Sequence, residues 1–176
     1  LTNLVKNLRQ LFNSSVQDFH KIDLVFTVNE LLEIIEPTLE AKKIRLTKIV
    51  RNNIAVLGDA IQIQQVLINL LNNAIDAISQ SNPKSREIKI TIDSNDYFAT
   101  IDIEDTGSGI DMAMLPTMFE LYKTSKKDGI GIGLWLCKTI INKHHGEISA
   151  ANNHNGGARF TIQLPLIQRT EWSRIG

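Results

Sequence analysis

Two glycine-rich stretches stand out in this chain, Asp105-Thr-Gly107-Ser-Gly109-Ile110 and Gly129-Ile130-Gly131-Ile132-Gly133-Leu134. The first follows an apolar run typical of a buried strand, and the second precedes an apolar run with helical spacing. Glycine lets a backbone turn sharply and lets another group approach it closely. We therefore expect two loops that approach a ligand, one after a strand and one before a helix.

A third stretch is a predicted helix that starts after Asp59, a good N-cap residue. At about 100° per residue, its polar side chains fall within about 100° of one another, opposite an apolar face. The polar set is Gln65, Asn69, Asn72, Asn73 and Asp76. Asn69 and Asn73 lie one turn apart, so their amide oxygens are placed to share a Mg²⁺ ion, directly or through its waters, with ATP phosphates. The alternative is a solvated face on a half-buried helix.

Asp105 ends the apolar strand before the first glycine stretch. A buried carboxylate is a hydrogen-bond acceptor only, which suits the exocyclic amine of adenine, whereas guanine has a carbonyl there. The alternative is an Asx turn that closes the strand.

The second glycine stretch predicts an anion site, because free N–H groups at a helix N-terminus suit a polyphosphate. The sequence disfavours a dinucleotide-binding turn, since that needs a preceding strand and a Gly-x-Gly-x-x-Gly spacing, whereas the spacing here is Gly-x-Gly-x-Gly. Lys126 or Lys127 is placed to reach a terminal phosphate. A solvated lysine in a lid is the alternative.

Composition excludes several other classes. The 176 residues are 43% hydrophobic, and 19 basic residues balance 19 acidic ones, so no broad electrostatic grip on nucleic acid or membrane is expected. A single cysteine, Cys137, excludes an intrachain disulfide, and its place in an apolar helical run predicts a buried small side chain. The four histidines lack metal-ligand spacing.

No apolar run reaches the roughly 20 residues of a membrane span. The start at Leu1, without methionine, suggests a fragment whose missing part could hold a membrane anchor.

The remaining pattern predicts the order of elements. Residues 1–19 predict a bundle-facing helix. A second helix is predicted from about Val28 to Lys42, which Pro37 kinks or ends, followed by strands at 44–49 and 54–56 joined by a turn at 51–53. After the helix that starts at Asp59, the pattern predicts a hairpin of 87–93 with 97–104 and a loop at 106–130 with a helical patch at 112–121. The last elements are a helix at 131–144 and a hairpin of 147–151 with 158–164.

Together these stretches resemble the catalytic, ATP-binding domain of bacterial two-component sensor histidine kinases, in the GHKL ATPase superfamily. The resemblance covers about residues 22–165. Asn69-Leu-Leu-Asn-Asn73-Ala is similar to the N box, residues 105–109 to the first glycine box, 119–126 to the F box and 129–134 to the second glycine box. Asn73-Ala-Ile-Asp76-Ala77 is similar to the nitrogen-regulation and dicarboxylate-sensing subgroup. The resemblance implies an α/β fold, a two-layer α/β sandwich with a mixed sheet covered by helices on one face, preceded by a helix of the dimerisation hairpin.

The resemblance also implies the residues of the site. Asn69 and Asn73 are expected to hold magnesium and phosphate, Asp105 adenine, and Lys126 a phosphate. Gln65 occupies the position at which hydrolytic relatives have a glutamate that acts as a base. Because glutamine cannot act as that base, transfer of the phosphate to a protein side chain is favoured over attack by water. Gln65, Asn69, Asn73 and Lys126 are thus the expected catalytic set. The other residues expected around the nucleotide are Asp76, Gly107, Gly109, Ile110, Gly129, Ile130, Gly131, Ile132, Gly133 and Leu134.

The activity implied is binding of Mg-ATP and donation of the terminal phosphate to a histidine on a separate dimerisation hairpin. The hairpin's acceptor box, a His followed by an acidic residue, is absent from the chain. We expect residues 1–21 to be the end of the dimerisation helix and a linker, 22–166 the ATP-binding domain and 167–176 a tail. The expected partners are that hairpin and a response regulator receiver domain, in a cytoplasmic kinase that is a homodimer at full length and reaches a membrane only through missing N-terminal regions.

Two other functions stay open. One is an ATPase of the gyrase or mismatch-repair kind. Gln65 and the shortness of the lid, the loop expected to cover the nucleotide, disfavour it. The other is a nucleotide-binding regulatory module without phosphotransfer, which the intact boxes disfavour.

Overall fold

The computed structural model describes residues 19–123, 131–154 and 156–167. Residues 1–18 of the predicted first helix, Lys126, Gly129, Ile130 and nearly all of the predicted tail lie outside these ranges. The elements within them are β1 (His20–Asp23), α1 (Leu24–Ala41), β2 (Arg45–Val50), β3 (Ala55–Gly58), α2 (Ala60–Ser81), β4 (Glu87–Ser94), β5 (Phe98–Asp105), α3 (Gly133–Lys143), β6 (Glu147–Asn152) and β7 (Ala158–Pro165).

The main sheet has five strands in the order β2-β4-β5-β7-β6. β2 runs parallel to β4, and the other neighbouring pairs are antiparallel. β1 and β3 form a separate antiparallel pair. The predicted mixed sheet is therefore confirmed.

Alternate residues divide the main sheet into an apolar and a polar face. In β5, Ile101 and Ile103 are buried. On the opposite face, Glu104 forms ion pairs of 2.6 Å with both Lys89 and Arg159. Helix α1 contacts β2, α2 contacts β5 and α3 contacts β6. This arrangement confirms the two-layer α/β sandwich.

Helix α2, which carries the polar face, begins as the sequence predicts. The side chain of Asp59 accepts hydrogen bonds from the backbone N–H groups of Ile61 at 2.9 Å and Gln62 at 3.2 Å. The backbone N–H of Asp59 donates to Nε2 of His144 at 3.0 Å. Since His144 directly follows α3, this bond ties the start of α2 to the end of α3.

Helix α1 starts earlier than the predicted Val28. Asp23 caps its first turn by accepting a hydrogen bond from the N–H of Phe26 at 3.0 Å, so the helix begins at Leu24. Pro37 lies inside α1 and does not end it, because the helix continues to Ala41. No helix in the described ranges has the length and apolar character that crossing a membrane requires.

The strands predicted on either side of residues 51–53 form, but in different sheets. β2 joins the main sheet, whereas β3 pairs with β1. The sequence does not predict β1, because a strand of four residues is too short to show a clear alternation.

Two predictions in the long loop are wrong. The predicted helical patch of residues 112–121 is a series of turns, such as the one closed by the bond from the N–H of Met114 to the carbonyl of Asp111 at 2.9 Å. Helix α3 begins at Gly133 rather than Gly131, because Gly131 has a φ of 71°, outside the right-handed helical region.

Candidate functional site

Asp105 is buried at the end of β5, with 5% of its surface exposed. Its Oδ1 accepts hydrogen bonds from the backbone N–H groups of Gly107 at 2.7 Å and Ala158 at 3.3 Å. The bond to Gly107 is the Asx turn that the sequence offered as an alternative. Both bonds end on Oδ1, so the turn does not use Oδ2.

Burial raises the pKa of the Asp105 carboxyl above its usual range, and the two backbone hydrogen bonds oppose that rise. A ligand that donates an N–H to Oδ2 would favour the charged carboxylate in the same way. The structure therefore shows an Asx turn and an acceptor at the same position, so the two interpretations of Asp105 do not exclude each other.

The loop after β5 presses against helix α2. A Cβ atom on Gly107 would lie 2.7 Å from the Cβ of Ala77. Such a distance is too short for two carbon atoms in contact, so glycine is needed here for a close approach between the first glycine stretch and α2.

The far end of this loop is held by Asn152. The Oδ1 of Asn152 accepts a hydrogen bond from the N–H of Ile110 at 2.7 Å, and its Nδ2 donates to the carbonyl of Ile110 at 2.8 Å. Gly109 has a φ of 75°, and a Cβ on it would lie 2.9 Å from Oδ1 of Asn152. Glycine is therefore required here both by the backbone conformation and by the neighbouring side chain.

The predicted polar face of α2 lies at the border of the core. Gln65, Asn69, Asn73 and Asp76 are partly exposed, and Asn72 is exposed. The Nε2 of Gln65 is buried and has no hydrogen-bond partner among the described residues. The opposite side of the helix is buried, as predicted, through Ile63, Leu67, Leu70, Ala74 and Ile78.

Asn69 is where α2 and the second glycine stretch meet. Its Nδ2 donates a hydrogen bond to Sγ of Cys137 on α3 at 3.3 Å. A Cβ on Gly133 would lie 2.8 Å from that Nδ2 and 3.0 Å from Oδ1. The backbone at the start of α3 thus packs directly on the amide of Asn69.

Cys137 is buried beneath this contact. Burial raises the pKa of its thiol to about 12, so the group stays protonated at neutral pH. The thiol lies 3.8 Å from the carbonyl oxygen of Val66. The sequence predicts a buried small side chain here, which is confirmed, but gives no sign of the contact with Asn69.

The first turn of α3 has no side-chain cap: Ile132 is at the N-cap position and forms no capping hydrogen bond. The first N–H groups of a helix have no partner within the helix and attract anions. Gly133 and Leu134 are partly exposed at this end, and Ile132 is buried. Ile132, Gly133 and Leu134 thus lie together at the start of α3.

Gly131 fixes the base of the loop before α3. Its carbonyl accepts a hydrogen bond from the N–H of Tyr122 at 2.9 Å. A Cβ on Gly131 would lie 2.5 Å from the carbonyl carbon of Tyr122 and 2.7 Å from the N of Lys123. Lys126, Gly129 and Ile130, predicted for the same site, lie outside the described residues.

For the predicted Mg²⁺ ion, the described residues offer amide oxygens rather than a cluster of charged or sulfur ligands. No group of three His, Cys, Asp or Glu side chains among them is placed to hold a metal ion. Mg²⁺ at a phosphate site needs only one or two protein oxygens, because waters and phosphates fill the rest of its shell. Asn69 and Asn73 provide amide oxygens of that kind.

Several residues of this region were missed by sequence reasoning, namely Gly58, Cys137, His144, Asn152, Asn153 and Gly157. His144 is 2% exposed, and its Nδ1 lies 2.8 Å from the carbonyl of Ile140. Its ring stacks on Phe19, and a Cβ on Gly58 would lie 2.8 Å from it. Both ring nitrogens are thus used within the fold. Only the Gly156-Gly157 pair gave a signal in the sequence, that of a tight turn.

The family model described as "Histidine kinase-, DNA gyrase B-, and HSP90-like ATPase" matches residues 58–168. The matched range contains α2, both glycine stretches, α3 and strands β4 to β7. The chain belongs to this ATPase family.

Its relatives are sensor histidine kinases. The chain is 31% identical over 162 residues to the C4-dicarboxylate transport sensor protein DctS of Rhodobacter capsulatus, a match that covers 87% of the chain and 25% of that protein. The chain thus spans about a quarter of the length of this curated relative. The catalytic domain of histidine kinase ThkA has a TM-score of 0.75 and 28% identity, over 85% of this chain and 96% of that one.

A second ThkA structure, in complex with the response regulator protein TrrA, is similar in fold, with a TM-score of 0.73 and 24% identity over 94% of this chain and 49% of that one. These matches identify the chain as the ATP-binding catalytic domain of a sensor histidine kinase, the class that the sequence motifs resemble.

Proposed function

We propose that this chain binds Mg-ATP and donates the terminal phosphate to a histidine on a dimerisation hairpin of the same kinase. The observation that carries the proposal is the contact of Gly133 with the amide of Asn69. This contact brings the amide of Asn69 on α2 next to the uncapped N–H groups at the start of α3. The contact of Gly107 with Ala77 brings the loop of Asp105 to the same helix.

Adenine is proposed to bind beside Asp105. Oδ1 is occupied by two backbone N–H groups, so its position is fixed, and Oδ2 is the oxygen that would accept the exocyclic amine. Guanine presents a carbonyl at that position, and two acceptors repel each other. The site should therefore prefer ATP to GTP.

The phosphates are proposed to bind between the start of α3 and the polar face of α2. The first N–H groups of α3 would donate hydrogen bonds to phosphate oxygens. Asn69 and Asn73 would hold Mg²⁺, which when bound supplies positive charge that neutralises the phosphates. Gln65 has a buried Nε2 without a described partner, which supports a donor role toward a bound polar group. Its assignment and that of Lys126 stay predictions.

The phosphate acceptor is proposed to come from outside this chain. His144 is unsuited to the role, because its ring is buried and both nitrogens lie in hydrogen bonds to the backbone. The solved complex of ThkA with TrrA supports the further proposal that a response regulator receiver domain takes the phosphate from the hairpin.

Labelled ATP tests the proposal. Incubated alone, the chain should bind ATP yet form no acid-labile phosphohistidine, because phosphoryl transfer requires an acceptor placed in line with the terminal phosphate. When the hairpin of its own kinase is added, that hairpin should be labelled, and a hairpin with its histidine replaced should not.

Stable labelling of the isolated chain at His20, His144, His145 or His154 would overturn the acceptor assignment. Tight ATP binding with no labelling of the hairpin would favour a regulatory module instead.

A further inference from the structure

Asn152 is the last residue of β6, and its side chain reaches the loop after β5, which is not the neighbouring strand. In the sheet, β7 lies between β6 and β5. Asn152 nevertheless forms two hydrogen bonds with Ile110, in the loop after β5. This reach is possible because the chain entering β7 has no side chain at Gly157, where a Cβ would lie 1.9 Å from the carbonyl oxygen of Asp105.

The same end of the hairpin holds the start of the loop. The N–H of Ala158 donates to Oδ1 of Asp105 at 3.3 Å, and the Nδ2 of Asn153 donates to the carbonyl of Ala158 at 3.1 Å. The carboxylate of Asp105 and the backbone of Ile110 are therefore both held by the hairpin of β6 and β7. Their relative position depends on the bonds of Asn152, since Gly107 and Gly109 between them restrict the backbone least.

We propose that Asn152 is a positioning residue that sets the preference of this site for adenine. This inference rests on the proposed function, because it assigns Asn152 a task only if a nucleotide base lies against the loop. Asn152 holds Ile110 and Gly109 at a fixed distance from Asp105, so the loop backbone and Oδ2 meet one base at the same time. Without Asn152 the loop can shift to fit other bases, so affinity for ATP falls more than affinity for GTP.

A purely structural role of Asn152 predicts a different effect on the ratio of ATP to GTP affinity. Asn152 is an exposed residue at the edge of the sheet, outside the hydrophobic core. If its bonds only strengthened the fold, their loss would lower stability and leave the ratio of ATP to GTP affinity unchanged. The ratio is therefore the measurement that separates the two roles.

The test uses Asn152→Ala, Asn152→Asp and the whole chain. Calorimetry should show Mg-ATP binding about five- to tenfold weaker in Asn152→Ala, with Mg-GTP binding less affected. Asn152→Asp keeps the acceptor for the Ile110 N–H and loses the donor, so its ATP affinity should be intermediate. Asn142→Ala, a change at an exposed asparagine of α3, should leave both affinities unchanged.

Amide exchange measured by NMR reports the contact without a ligand. The Ile110 amide should be protected in the wild type and in Asn152→Asp, and should exchange faster in Asn152→Ala. Faster exchange with an unchanged ratio of ATP to GTP affinity would overturn the inference, as would an Ile110 amide that is unprotected in the wild type. Failure of the wild type to bind ATP would instead overturn the proposed function. If Asn152→Ala does not fold, an unchanged ratio in Asn152→Asp overturns the inference.

Discussion

The base end and the phosphate end of the proposed site are built in different ways. At the base end, residues 105–110, the loop is fixed by hydrogen bonds to β6 and β7, through Oδ1 of Asp105 and both polar atoms of Asn152. At the phosphate end, the start of α3 is fixed by close packing of glycines, Gly133 on Asn69 and Gly131 on Tyr122. The base end uses its polar groups on the protein and leaves one carboxylate oxygen, whereas the start of α3 has no side-chain cap, and its first N–H groups are the donors proposed for the ligand.

This difference predicts which changes alter stability and which alter function. Groups at the base end take part in the fold and in binding, so substitutions there should change both quantities. Substitution of a side chain at the phosphate end that is proposed to hold the metal, such as Asn73, should change transfer more than the free energy of unfolding.

Asn73→Ala should have the largest effect on function. Its proposed partner is the metal, so phosphotransfer to the hairpin should fall by about 100-fold or more, while ATP binding in magnesium-free buffer should change much less. Initial rates of hairpin labelling and calorimetry without magnesium measure the two quantities. Asn72→Ala is the matched control, because Asn72 is the exposed neighbour on the same helix.

An equal loss of magnesium-free binding in Asn73→Ala would show that Asn73 supports the helix or contacts the nucleotide directly. An equal loss of transfer in Asn72→Ala would show that the assignment of the polar face is wrong.

Gly157→Ala should have the largest effect on stability. Gly156 has a φ of 85° and Gly157 a φ of 80°, so alanine is strained at either position. A Cβ on Gly157 would also lie 1.9 Å from the carbonyl oxygen of Asp105, whereas one on Gly156 meets nothing within 4 Å. Urea unfolding should show a loss of about 3 kcal/mol in Gly157→Ala and about 1 kcal/mol in Gly156→Ala.

Gly157→Ala should also weaken ATP binding, because the loop of Asp105 must move to make room. Equal losses of stability in the two variants would mean that the close contact at the base end does not exist in solution.

Asp105→Asn should weaken Mg-ATP binding by about 1.5–3 kcal/mol, the range for a hydrogen bond to a charged group. Its Oδ1 can still accept the two backbone N–H groups, so the fold should be retained while an NH₂ group replaces Oδ2. Calorimetry with Mg-ATP and Mg-GTP measures the change. A collapse of the melting temperature would favour a purely structural role, and equal affinity of the wild type for the two nucleotides would contradict the adenine assignment.

The parts of the fold that the sequence predicts are those set by neighbouring residues. The Asp59 cap joins residues two and three apart, and the buried face of α2 repeats every turn, so both appear in the sequence. The glycine boxes are local as well. Their spacing and order carry the resemblance to the histidine-kinase domain, and that resemblance implies ATP and the two-layer fold.

The parts that the sequence does not predict are set by distant contacts. Asn152 meets Ile110 across 42 residues, and Asn69 meets Cys137 across 68, so neither pair leaves a periodic pattern. The sequence predicts that α3 starts at Gly131. In the structure Gly131 has a positive φ and lies in close contact with Tyr122, and α3 begins at Gly133.

The smallest expected effect concerns pH and the packing of α2 against α3, which supports the phosphate end. Burial lowers the pKa of His144, with smaller contributions from the charges of Lys143 and His145, while its bond to the carbonyl of Ile140 and the charge of Asp59 oppose that fall. The unfolded chain therefore binds a proton more readily than the folded one, so this stabilisation is complete above about pH 6.5 and is lost as the pH falls below it.

For one such group the free energy of unfolding can change by at most about 1.4 kcal/mol per pH unit. Urea unfolding at pH 7.5 and 5.5 should therefore show a loss in the wild type that is smaller in His144→Gln, because glutamine does not titrate. His145→Gln, at an exposed neighbour, removes only one of the smaller contributions to the His144 pKa, so it should change the pH dependence less than His144→Gln does. If His144→Gln loses as much stability on acidification as the wild type, the loss comes from other groups, and the link between α2 and α3 does not depend on neutral His144.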